Sequence, residues 1–416
     1  MTKTAIMCAF LSTVLGGAAA SAQQVAGISD DESLYLKRVG QLTEPRQGGG
    51  LDSYDPLETV VGAARSSPLL IARRGRISAT AIDSARAYVA ERNTSAFLIW
   101  HEGSLIHESY FGSFNRDTPL VSKSLAKPVT ALLVGRAIAQ GHIKSLDQPI
   151  ADFITEWKSD TERSKITIRQ LLGMRSGLLA QTVTPNTEDI LNRAYLHPRH
   201  DEIIIRDYPL THAPGTRYEY SNANGELIAP LIERATGRRY SQYLSESLLG
   251  PIGAAGGTIW LNRPGGMAHS GCCLMLPAQT WLRMAILLMN DGVWRGRRLL
   301  LQNHVAEMRT AAPENPYYGL GAWIAGNYIE RRGFAHPSIP VGKVLHSAPY
   351  LARDLYLFDG NSNQVVYIIP SQRLIILRTG DRPPNNKEWD NAFLPNLLIS
   401  AIQRRAGESM PEPQAR

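Results

Sequence analysis

Ser124-Leu125-Ala126-Lys127 is the stretch of this sequence best equipped for covalent chemistry. A serine hydroxyl becomes a nucleophile when an adjacent base takes its proton, and a desolvated lysine amine can be that base. The i, i+3 spacing puts both groups on one face of a helix. A helix start also leaves backbone N–H groups free to meet developing negative charge. A chain of this length shows about one such pattern by chance, and Ser124 would also serve as a simple N-cap. A second element is Tyr220-Ser221-Asn222, after Pro214-Gly215-Thr216. A tyrosine beside a lysine can pass a proton to a leaving group, and an asparagine amide can orient a carbonyl. A third is Asn361-Ser362-Asn363, where a hydroxyl and strand backbone could line a cleft. Taken alone, the second reads better as an ordinary turn with a half-buried tyrosine, and the third also reads as a polar turn.

Other common chemistries leave no trace. There is no His-Glu-x-x-His motif, no Gly-x-x-x-x-Gly-Lys loop and no Gly-x-Gly-x-x-Gly. Gly360-Asn361-Ser362-Asn363-Gln364 comes nearest to a nucleophile elbow but lacks its last glycine. The ten histidines are scattered and are expected to be surface or satisfied core groups. No cluster has metal-ligand spacing, so neither metal nor cofactor is expected. Cys272 and Cys273 are adjacent. They fit no metal knuckle and no disulfide framework, and read either as small buried residues or as a vicinal disulfide.

The elements that must position these residues follow from pattern. Ser95 to Trp100 and Leu105 to Tyr110 read as a hairpin across His101-Glu102-Gly103-Ser104. Leu125 to Ala139 reads as an apolar helix ended by Gly141, and Thr167 to Leu172 as a short one. Glu226 to Ala235 carries apolar residues at helical spacing, with Gly237 just beyond. Pro277 to Met289 is a further helix, closed by Asn290-Asp291-Gly292. Gln364 to Ile369 and Leu374 to Arg378 form a second hairpin. Strands, a helical middle and strands again predict an α+β fold. In it an antiparallel sheet, built from both ends of the chain and flanked by helices, carries an inserted all-helical lobe at about 145–265.

The 416 residues, 44% hydrophobic with formal charge +7, suit one large domain of two lobes or two modest domains. Lys3, the apolar run Ala5 to Leu15 and Ala20-Ser21-Ala22 read as a signal peptide over residues 1–22. The expected location is therefore periplasmic or extracellular. No later run is long enough to span a bilayer. Residues 23–80, with Gly48-Gly49-Gly50 and little periodicity, read as an extended N-terminal arm, and 81–406 as the main domain. Basic pairs are dispersed rather than striped, so nucleic acid is not an expected partner.

With these elements in view, the sequence resembles the serine β-lactamase-like family of class C β-lactamases, D-alanyl-D-alanine carboxypeptidases, esterases and 6-aminohexanoate-dimer hydrolase. The resemblance runs from about Ser95 to Leu398. It is carried by Val121-Ser122-Lys123-Ser124-Leu125-Ala126-Lys127, Ser145-Leu146-Asp147-Gln148-Pro149-Ile150, Ile166 through Leu172, Arg175-Ser176-Gly177-Leu178, Pro214-Gly215 through Asn222, and Leu288 through Gly292. It implies Ser124 as nucleophile, Lys127 as its base, Tyr220 as second acid/base and Asn222 as the polar partner in the tyrosine motif. Asn361-Ser362-Asn363 falls where the family has Lys-Thr-Gly, His-x-Gly or a related triplet. The implied oxyanion donors are the backbone N–H groups of Ser124 and Gln364. Here the triplet has no cation to receive a substrate carboxylate. That favours neutral esters or amides over β-lactams and peptidoglycan stems. A β-lactamase or D,D-carboxypeptidase, and a non-catalytic penicillin-binding or sensing module, are the alternatives.

Overall fold

The structure is a computed structural model that describes residues 29–43, 54–65, 68–72, 75–182, 184, 186–335 and 343–415. The expected signal peptide lies outside the described residues. Its centre is a six-stranded antiparallel sheet. The strands are β1 Thr94–His101, β2 Ser104–Tyr110, β3 Trp323–Ile324, β4 Tyr356–Gly360, β5 Gln364–Ile369 and β6 Leu374–Gly380, in the order β2-β1-β6-β5-β4-β3. Both ends of the chain therefore meet at the β1–β6 ladder, where Ile99 faces Ile376. The β1–β2 connection turns at Glu102 and Gly103, φ 48° and 92°, the positive pair a tight two-residue hairpin demands.

β1, β5 and β6 are buried on both faces, which is why they read as nearly continuous apolar runs. Their alternate side chains feed two cores. Leu98, Trp100, Val366, Ile368, Ile375 and Leu377 pack into one; Phe97, Ile99, Val365, Tyr367 and Ile376 pack into the other. Helices α2 Ala79–Ala90 and α5 Phe393–Ser400 cover the second face, and α4 Ala278–Met289 covers the first. Helix α3, Ala126–Ala139, is buried almost all round, so it runs through the interior and carries its first residues rigidly.

The middle of the chain is helical as expected up to Leu249. Beyond it, Gly257–Trp260 is a strand pairing with Leu57–Val60 and with Leu274–Leu276, so the lobe ends in sheet before residue 265. The short helix Ile168–Leu172 starts on a capping box between Thr167 and Gln170.

The expectation of an extended arm at 23–80 is corrected. Asp30–Thr43 is a helix, α1, with three acidic residues in its first turn, where the helix dipole favours them. Tyr35 and Val39 share one face and pack with Trp260, Cys272 and Cys273. Buried Arg38 donates to Leu196 O and Asn262 O, both at 2.9 Å, and lies 4.9 Å over the Trp260 ring. The helix is thus fastened by tertiary contacts that local periodicity does not advertise.

Candidate active site

Ser124 sits in a 3₁₀ turn, Lys123–Leu125, that feeds directly into α3. Lys123, just before it, is held at φ 49°, an uncommon backbone for a branched-free but bulky residue and one that marks functional turns. Lys127 lies one turn along the helix, and its Nζ is 3.1 Å from Ser124 Oγ. The ammonium is buried and makes two further hydrogen bonds, to Asn222 Oδ1 at 3.0 Å and Gly271 O at 3.1 Å. With those two acceptors fixed, the third direction of the nitrogen is that of Ser124. A protonated Lys127 donates along it, and a neutral amine aims its lone pair along it. The Tyr220 hydroxyl donates to Ser124 Oγ at 3.0 Å, and its ring lies 4.9 Å from Lys127 Nζ. Four of the residues singled out in the sequence, Ser124, Lys127, Tyr220 and Asn222, thus form one hydrogen-bonded unit.

The tyrosine motif is positioned by its surroundings. Tyr220 is mostly buried, among Tyr318, Trp323 and Phe334, with ring centroids 6.3, 6.4 and 5.4 Å away. Its carbonyl accepts from Gln181 N. Asn222 opens the short helix Asn222–Glu226. Gly225 and Gly271 bring two backbones together: a Cβ added at Gly225 would sit 2.8 Å from the Gly271 Cα.

The segment from 270 to 274 braces the unit. Ser270 Oγ donates to Gly225 O at 2.7 Å and accepts from Ala229 N at 3.0 Å. Gly271 O holds Lys127. Leu274 N donates to Ser122 Oγ at 3.0 Å, and Ser122 N donates to Leu274 O at 2.9 Å. Between them Cys272 and Cys273 are joined as a vicinal disulfide, resolving the two readings the sequence left open, and Tyr195 OH donates to Cys272 Sγ at 3.1 Å.

Asn361, Ser362 and Asn363 form the turn between β4 and β5. Gly360, just before them, abuts the nucleophile turn: a Cβ there would lie 3.1 Å from Ser122 O and 3.2 Å from Leu125 N. Ser362 is buried and Asn361 exposed. Gln364 is buried at the start of β5, opposite Gly360 in the ladder, and its side-chain amide donates to Val121 O at 3.0 Å.

His200, Glu226 and His269 were not singled out. They are separated in sequence, so no spacing could reveal them, yet their donor atoms lie within 4.8 Å of one another, fully buried. The expectation of satisfied histidines is corrected for His200 and His269, since among the described residues none of their ring nitrogens has a hydrogen-bond partner. Each imidazole approaches Glu226 Oε2 at 3.5 Å, too far for a good hydrogen bond. Burial alone would raise the Glu226 pKa; interaction with the His269 and His200 imidazoles outweighs this and lowers it. Burial pushes the His269 imidazole down. Among the described residues this is the one group able to offer three metal ligands. The two imidazoles are stacked, 4.1 Å apart and 12° from parallel, and His269 is stacked again on Trp260 at 3.9 Å. Their in-plane lone pairs run side by side instead of converging tetrahedrally, which does not suit a single ion.

An interior helix thus presents serine and lysine, a tyrosine closes on the serine hydroxyl, and an antiparallel sheet flanks them. The Beta-lactamase family model matches residues 82–398, and the chain belongs to that family. It is 25% identical over 285 residues to 6-aminohexanoate-dimer hydrolase of Paenarthrobacter ureafaciens, covering 64% of this chain and 67% of that protein. It is 27% identical over 131 residues to Protein flp of Staphylococcus aureus (strain NCTC 8325 / PS 47), which is 31% of this chain; the match spans 26% of flp's length. Among solved structures, the Bacillus anthracis protein described as a 6-aminohexanoate-dimer hydrolase superposes with TM-score 0.64 at 19% identity, covering 80% of this chain and 87% of that one. EstCE1, a hydrolase with promiscuous acyltransferase activity, superposes with TM-score 0.56 at 16% identity, covering 78% and 98%.

Proposed function

We propose that the protein is an exported serine hydrolase that forms an acyl-enzyme on Ser124 and acts on neutral esters or amides. The observation that carries this reading is the shared hydrogen bonding of Ser124 Oγ with Lys127 Nζ and Tyr220 OH. In acylation, neutral Lys127 accepts the Ser124 proton as Oγ bonds to the substrate carbonyl carbon. The oxyanion is met by the Ser124 N–H and by an N–H of the turn after Gly360. Asn361 is better placed than Gln364 for this second role, because it directly follows the glycine packed against the nucleophile turn, whereas Gln364 sits in the β4–β5 ladder. The carbonyl re-forms, the bond to the leaving group breaks, and Tyr220 gives that group its proton, drawing one in turn from Lys127. A water then repeats the attack on the acyl carbon, and Ser124 Oγ leaves with a proton.

The neutral triplet supports neutral substrates. Export rests on the character of residues 1–22. Among the described residues no helix is long and apolar enough to cross a membrane. The test is a panel of p-nitrophenyl esters, an aminohexanoate-type amide dimer and nitrocefin, with a Ser124→Ala control and a fluorophosphonate label. Turnover and labelling that vanish in the control support the reading. Labelling that persists without Ser124 places the nucleophile elsewhere.

A further inference from the structure

Arg378 is a charged residue inside the apolar strand β6, and none of it reaches solvent. Among the described residues its hydrogen-bond partners are carbonyls and one hydroxyl, with no carboxylate among them. Nη1 donates to Ser362 O at 2.7 Å and Asn363 O at 3.1 Å. Nη2 donates to Arg92 O, to Asn93 O at 3.1 Å and to Asp381 O at 2.9 Å. Nε donates to Thr94 Oγ1 at 3.0 Å. Burial pushes its pKa down to about 10, which leaves it protonated at neutral pH. A buried cation persists only where dipoles or charges replace its water. Here the replacement comes from backbone, and two of the carbonyls belong to the turn after Gly360.

That turn needs holding. Ser362 and Asn363 stand at φ 69° and 57°, the left-handed region that non-glycine residues seldom occupy. Asn361 Oδ1 accepts from Ser362 N at 2.8 Å, which ties the turn from within. Arg378 ties it from behind. In a trans peptide the N–H points opposite to the C=O. Carbonyls of Ser362 and Asn363 drawn onto the guanidinium therefore face the N–H groups of Asn363 and Gln364 away from it.

We infer that Arg378 is a positioning residue of the hydrolytic site, fixing the Ser362–Asn363 end of the turn and, through it, the Asn361 N–H proposed to meet the substrate carbonyl. The inference rests on the acyl-enzyme reading above. Arg378 itself touches no substrate; it acts through the turn. Where related enzymes are expected to present a cation toward the cleft from this triplet, here the charge stands behind it, on the neighbouring strand.

The experiment compares an ester with the matching thionoester, in wild type, Arg378→Gln and Arg378→Lys. Sulfur is a weak hydrogen-bond acceptor, so the thionoester depends less on the backbone donors. Loss of a whole oxyanion donor costs about 10²- to 10³-fold in kcat. Loosening one is expected to cost the Gln variant roughly 10- to 100-fold on the ester, with KM nearly unchanged. The ester-to-thionoester rate ratio narrows, and the Lys variant, which keeps the charge with fewer donors, falls between. Equal losses on both substrates overturn the inference, because they show a general structural role. Hydrogen exchange of ligand-free protein gives a readout free of turnover: segment 361–365 exchanges faster in the Gln variant than the rest of β5 does. Unchanged exchange there also overturns it. A wild type that hydrolyses neither substrate counts against the acyl-enzyme reading instead, and the exchange result still decides whether Arg378 holds the turn.

Discussion

The Tyr220 hydroxyl reaches Ser124 Oγ at 3.0 Å across 96 positions of sequence. Lys127 reaches the same oxygen from three positions away. One contact is local and the other needs the whole helical lobe to fold, yet they converge on a single atom.

Because they converge, Lys127→Ala and Tyr220→Phe are expected each to lower kcat by several orders of magnitude, with the double variant little worse than either. Groups that act as one proton-handling unit are strongly non-additive. The check is a double-mutant cycle on kcat/KM with one ester. Losses that simply multiply would mean the two side chains serve separate steps.

The proposed preference for neutral substrates rests on the turn after β4. Asn361 is exposed there, and the triplet offers amides but no charge. A carboxylate brought into a partly dry cleft loses hydration that neutral donors replace poorly. Short neutral esters are therefore expected to be turned over much faster than nitrocefin or a D-alanyl-D-alanine peptide. Asn361→Lys shifts the preference toward carboxylate-bearing substrates. A wild type that already prefers nitrocefin would replace this reading with the β-lactamase one.

Chelation tests the buried His200–Glu226–His269 group. Since its rings stack rather than converge, dialysis against EDTA is expected to leave ester hydrolysis and the thermal midpoint unchanged. Loss of either, restored by zinc, would assign an ion to that cluster.

Acid should weaken the fold through His346. Burial, with Arg332 nearby, pushes its imidazole down to about 3, against an ordinary value of 6.5. The unfolded chain then takes up a proton below pH 6.5 that the folded protein refuses until about pH 3. The stabilisation is complete above 6.5 and declines on acidification, by about 1.4 kcal/mol per pH unit from this one group. Urea unfolding at several pH values between 7.5 and 4 should show a shallower slope in His346→Gln than in wild type. Parallel slopes would show that the ring does not control the acid response.

The legible parts of the molecule were those written locally. The Ser124–Lys127 spacing, the turn at Glu102-Gly103 and the apolar strands of both hairpins carry their geometry in a few adjacent residues. Tyr220 and Asn222 were legible through an ordered set of blocks, not through their own type. Arg378 was not, because one arginine in an apolar strand reads as an exposed strand end, and nothing local shows that it stays inside among carbonyls. The helix Asp30–Thr43 was missed because its stabilising partners, Trp260 and the cysteine pair, lie more than 200 residues on. Its acidic first turn was the available signal. His200, Glu226 and His269 meet only in three dimensions.

The stretch from Ser270 to Leu274 has a consequence for how this protein would behave under genetic selection. Ser270 holds the helices after Tyr220, Gly271 the base, and Leu274 the turn of the nucleophile. A lesion at Ser270, whose hydroxyl makes the contact, or at Gly271, where a Cβ would press on Glu226 and Gly225, is therefore expected to disturb several of these groups together. A search for inactive variants would thus return Ser270 and Gly271 beside Ser124 and Lys127. Nothing in such a ranking would tell apart the atoms that react from the few that keep them in line. Only a probe of individual steps, acylation against deacylation, would separate the two kinds of loss.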